Sequence, residues 1–62
     1  MLQLFFIHSP ENRDLKVERQ FTSVKVTYET LRDDEGDTLA YYDGDHWHFA
    51  GQTWTDFEIV ST

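Results

Sequence analysis

In Asp43-Gly44-Asp45-His46-Trp47-His48, two imidazoles stand two residues apart, with two carboxylates just before them. On a strand, side chains at i and i+2 point the same way, so His46 and His48 share a face opposite Trp47 and Phe49. Zinc needs three or four convergent protein ligands, and only His8 or a distant acid could complete this set in a chain without cysteine. The cluster therefore reads as the polar face of an exposed hairpin, and no metal or other cofactor is expected.

Acid–base chemistry has raw material in three histidines and twelve acids. It also needs a concave, partly dry pocket of several hundred cubic ångströms, which so short a chain can rarely spare from its core. The three glycines stand singly, so no phosphate-cradling loop is present. The sequence is read as that of a non-enzyme.

Charge is the stronger signal. Residues 1 to 32 hold four acids and all five bases, while residues 33 to 62 hold eight acids and no Lys or Arg, within a chain of net charge -7. Such a surface repels nucleic-acid backbones and anionic membranes and attracts basic protein surfaces. Acids in turns also keep an aromatic-rich protein soluble and blunt its sheet edges. That general role does not account for thirty residues without a base. The sharper reading is that the carboxylates imitate a run of phosphates and occupy the basic surface of a nucleic-acid-binding protein or complex. Asp33, Asp34, Glu35, Asp37, Asp43 and Asp45 are then the expected partner-binding charges, with Tyr42 and Trp54 as aromatic anchors.

Asp33-Asp34-Glu35-Gly36, then Tyr41-Tyr42, then Asp56-Phe57-Glu58-Ile59 resembles a stretch of the small phage-encoded inhibitors of uracil-DNA glycosylase. The resemblance implies an acidic DNA mimic acting in conflict between a phage or mobile element and its host. It covers under half of the chain. It also needs an insertion before Asp56, and the helix those inhibitors carry nearby has no counterpart in the pattern here. The competing reading is a structural or assembly subunit, including a homodimer, that self-associates through its apolar first strand.

The elements that must position these groups are short. Sixty-two residues allow one domain, near the lower limit for folding without a disulfide or metal, so the ten aromatics must supply most of the core. Leu2 to Ile7 is an apolar strand, central or covered on both faces, too short to cross a membrane and without the flanks of a signal peptide. A cytoplasmic protein is expected. Ser9-Pro10 fits a single helical turn near residues 10–14. Leu15, Val17 and Phe21 alternate at strand spacing, and Val24, Val26, Tyr28 and Thr30 keep period two as one strand.

Residues 33–37 fit a hairpin with a three-residue loop whose left-handed position is Gly36. Thr38 to Tyr42 and His46 to Ala50 form the next hairpin, in one of two registers. A loop of Asp43-Gly44 pairs Tyr41 with His46, and a loop of Asp43-Gly44-Asp45 pairs Tyr41 with Trp47. Gly51-Gln52 makes a turn into a last strand from Trp54 to Val60, with a bulge or bend near Thr55-Asp56. The expected fold is mainly β: a small antiparallel meander sheet or a five- to six-stranded barrel.

Overall fold

A computed structural model describes residues 1–9 and 11–62, and within them the chain is all β. The strands are β1 (Leu2–Ile7), β2 (Leu15–Lys16), β3 (Lys25–Val26), β4 (Thr30–Arg32), β5 (Thr38–Tyr42), β6 (Trp47–Phe49), β7 (Gln52–Trp54) and β8 (Asp56–Ser61). They form two antiparallel sheets, β2-β1-β8 and the meander β3-β4-β5-β6-β7, which are not closed into a barrel. Among the described residues no helix is long and apolar enough to cross a membrane.

The alternation of β1 places Leu4 and Phe6 in the core, where both are fully buried with Phe21 and Leu31. Phe6 stacks on Phe49 of the second sheet at 4.6 Å and lies 6.0 Å from Trp54. Trp47 meets the edge of Phe57 at 5.1 Å, so aromatic pairs join the two sheets. No disulfide is needed where rings of this size fill the interior.

β1 is central, as its apolar run predicts. It pairs with β8 along its whole length and with β2 at Phe5 and Phe6, while Leu2 and Phe21 exchange backbone hydrogen bonds. Both of its edges are occupied, by β8 on one side and by β2, Val17 and Phe21 on the other. Val17 and Phe21 are buried as strand-spaced residues.

Four local expectations are corrected. Pro10 lies outside the described residues; among the described ones no helix forms over residues 11–14, and Asn12 N donates to Ser9 O at 3.0 Å and pairs with it across an isolated bridge. The period-two run from Val24 to Thr30 is not one strand: it folds back at Tyr28-Glu29, with Thr27 N donating to Thr30 O at 2.9 Å. The cause is local. Thr30 N donates to Thr27 Oγ1 at 3.0 Å and the two hydroxyls lie 2.6 Å apart, a side-chain capture of backbone groups that competes with an extended strand.

The β5–β6 hairpin takes neither expected register. Tyr41 pairs with His48 and Tyr42 with Trp47, leaving Gly44-Asp45 as the two-residue loop. Gly44 at φ +107° supplies the positive φ that a type II′ turn requires at its first central position. The bend expected near Thr55-Asp56 is present and marks a change of sheet: β7 ends at Trp54, Thr55 N donates to Ile7 O, and β8 continues beside β1. The turn before β7 is Ala50-Gly51, both at positive φ, one residue earlier than expected.

Candidate functional site

The loop Asp34-Glu35-Gly36 closes β4 onto β5, with Gly36 N donating to Asp33 O and Gly36 at the left-handed φ of +88° that the sequence predicts. Asp33 Oδ1 accepts the backbone N–H groups of Glu35 and Asp37, each at 2.9 Å. Its other oxygen accepts from Arg19 at 3.2 Å, and Asp34 takes a second nitrogen of the same guanidinium. Asp34 also accepts from Thr22 N and Thr22 Oγ1, both at 2.9 Å. These Thr22 donors, with Arg19 adding to them, lower the Asp34 pKa to about 2.

Asp33 and Asp34 were expected to mimic phosphates. Their side chains are only 8% and 14% exposed, and they clamp the segment around Arg19–Thr22 onto the hairpin. Glu35 and Asp37 are exposed. With Asp33 they bring one carboxylate oxygen each within 4.8 Å of one another, an exposed acidic cluster that by itself makes no metal site.

At the other end of β5, Asp43 organises its turn in the same way. Its Oδ1 accepts from Asp45 N and His46 N at 2.8 Å, and its Oδ2 lies 2.6 Å from His48 Nε2. The His48 contact, followed by the two backbone donors, holds the Asp43 carboxyl far below the ordinary carboxylate range. The His48 ring lies flat on Tyr41, 4.5 Å between centroids and 2° between planes. His48 is thus committed to Asp43 and Tyr41, while His46 and Asp45 stand exposed.

Tyr42 N donates to Glu29 O at 2.8 Å, which sets the Tyr28-Glu29 turn beside the Asp43 turn. Five residues of β5 separate this end from Glu35 and Asp37, about 17 Å. Tyr42 is half-buried, between the edge of Tyr28 at 6.2 Å and Trp47 at 5.2 Å. Trp54, expected as an anchor, is 4% exposed. Its Nε1 donates to Phe49 O and its ring stacks on His8, so no partner can reach it without unfolding the core.

The aromatics that do face solvent are Tyr28, 79% exposed, and Tyr41. The sequence hides them because both sit in β-like patterns; only the Thr27 and Thr30 pair marks the turn that throws Tyr28 outward. In the second acidic cluster, Glu58 receives both Arg13 Nε at 3.0 Å and Nη2 at 2.8 Å, with the guanidinium over the Phe5 ring. Asp56 is exposed and caps Phe57 N at 2.8 Å.

A groove of about 420 Å³ crosses the outer face of β5 to β7 beside Tyr41 and His48. His48 is its one titratable imidazole, and its lining residues include no acid and no serine, cysteine or lysine. Neither a protein-family model, a curated protein nor a solved structure matches this chain.

Proposed function

We propose that this protein is a small binding module that occupies the basic surface of a nucleic-acid-binding partner and so inhibits it. One observation carries the reading: Glu35, Asp37, Asp45 and Asp56 are exposed and make no ion pair among the described residues, in a half of the chain that contains no Lys or Arg. Carboxylates spaced over two turns at opposite ends of one strand offer an extended anionic surface, which is what a groove built for phosphates attracts. Asp43 adds a fifth carboxylate, at the Asp45 end, and Tyr28 and Tyr42 flank it as the aromatic contacts.

The test is capture of partners from a cell lysate at about 50 mM salt, followed by a challenge with duplex DNA. A DNA-binding protein that is retained, and then released either by the DNA or by about 0.5 M salt, supports the proposal. Retention insensitive to both overturns it.

A further inference from the structure

The two sheets expose four strand edges, and three are short: β2 and β3 have two residues each and β7 has three. The fourth is β8, six residues long, bonded only to β1. The register shows which of its backbone groups are free. Thr62 N donates to Met1 O, so that pair is hydrogen-bonded, and alternation along the ladder makes Gln3–Val60 and Phe5–Glu58 hydrogen-bonded pairs as well. Two contacts on the far side of β1 agree: Leu2 exchanges hydrogen bonds with Phe21, and Leu4 O accepts from Val17 N, so both residues direct their backbone groups away from β8.

Phe57, Ile59 and Ser61 therefore turn their N–H and C=O groups outward. The Phe57 N–H is capped by Asp56 Oδ1, while those of Ile59 and Ser61 point to the open edge. Phe57 and Ile59 are only partly buried against the core, and an added strand would complete their cover. Asp56 and Glu58 stand on the opposite face of the same strand.

We propose that the β8 edge docks an extended, basic segment of the partner as an added strand, with a Lys or Arg facing the unpaired Asp56 and apolar residues at the alternate positions continuing the Phe57–Ile59 row. This deepens the proposed function and rests on it. Charge selects this occupant over a second copy: two β8 edges would bring both unpaired Asp56 carboxylates to one seam between chains of net charge -7 each. Strand addition supplies affinity through the backbone and specificity through alternate side chains.

The probe is a synthetic eight-residue peptide of alternating lysine and valine, titrated into the whole chain at low salt. Backbone amide shifts confined to residues 56–62, with new exchange protection at Ile59 and Ser61, are the expected result. Methylating alternate peptide nitrogens should weaken binding about tenfold, as loss of one or two edge hydrogen bonds requires. Ser61→Pro, at an exposed position whose N–H does not face β1, should do the same without lowering the melting temperature. Peptide binding that spreads over the acidic turns, or that ignores both changes, overturns the edge assignment. So does a dimer of the free protein that Ser61→Pro dissociates, which would give the edge to a second copy. If the lysate partner is retained equally by wild type and Ser61→Pro, the edge proposal fails while the proposed function stands; if the peptide docks on β8 but no basic partner is retained, the converse holds.

Discussion

The Arg19 guanidinium binds Asp34 across fifteen residues of chain and holds Asp33 beside it at 3.2 Å, joining the connection between β2 and β3 to the β4–β5 loop. That connection contributes Phe21, one of the fully buried residues, so the clamp closes the core on this side. Two of the eight carboxylates in the acidic half are thus committed to this clamp.

Acid should undo the clamp. The Asp34 pKa falls from 3.8 to about 2 on folding, so its contribution is complete above pH about 4 and is lost as pH falls toward 2. Melting temperature measured from pH 7 to 2 should therefore drop through that window. Asp34→Asn, which keeps an acceptor for Thr22 but not the charge for Arg19, should lower stability at pH 7 and flatten the acid limb. Asp43 and Glu58, also shifted down, leave some slope in the variant.

Asp43 should matter more as an acceptor than as a charge. Its Oδ1 holds two backbone N–H groups of the Gly44-Asp45 loop, and an amide oxygen can do the same. Asp43→Asn is expected to keep the Tyr41–His48 and Tyr42–Trp47 register, followed as cross-strand nuclear Overhauser contacts. Asp43→Ala leaves both N–H groups and His48 Nε2 without their acceptor, and should broaden the turn resonances and lower the melting temperature clearly.

How much of this was legible follows from the range of the interactions involved. The all-β class, central β1 and the Gly36 loop depend on neighbours in sequence, and alternation and turn chemistry report those. The register at Gly44 was missed because both expected loops began at Asp43. Side-chain capture places Asp43 instead as the residue before the loop, with Gly44 first inside it. The Arg19–Asp34 clamp and the burial of Trp54 depend on residues brought together only by the tertiary fold, and no local pattern announces them. The acidic half was visible as composition, but which of its carboxylates remain free was not.

Ala50 is the one described non-glycine residue at positive φ, +56°, in the two-residue turn between β6 and β7. An L side chain there costs about 1–2 kcal/mol, and replacing it by glycine returns about 0.5–1 kcal/mol as added unfolded-state entropy. Ala50→Gly should therefore stabilise by about 0.5 kcal/mol, a rise in melting temperature of about 2–4 °C. Nothing lies within 4 Å of where a Cβ on Gly51 would stand, yet its φ of +74° makes Gly51→Ala unfavourable through the backbone alone.

Phe6 links the two sheets through the core, so its loss should be severe. It is fully buried and joins Phe49 and Trp54 across the two sheets. Phe6→Ala in a core costs about 3–5 kcal/mol. A domain of this size has a total stability of only about 3–9 kcal/mol at the usual figure per residue. The variant is expected to lose its near-ultraviolet aromatic circular dichroism at 37 °C, while Phe6→Leu, which fills most of the space, should remain folded with a lower denaturant midpoint.

The free carboxylates can be separated from the structural ones by reversal. Glu35→Lys, Asp37→Lys and Asp45→Lys change exposed groups that make no ion pair, so each should leave the melting temperature within a degree or two. If they face a basic partner, the triple variant should abolish capture, and each single variant should slow association more than it speeds dissociation, because rim charges act chiefly through steering. Asp34→Lys would be a poor control, since it breaks the Arg19 clamp and confounds folding with binding. Measuring association rates at about 50 and 300 mM salt decides the matter: wild-type rates should fall steeply with salt and the variants' rates should hardly respond, whereas equal salt slopes would show that these acids keep the protein soluble and do nothing more.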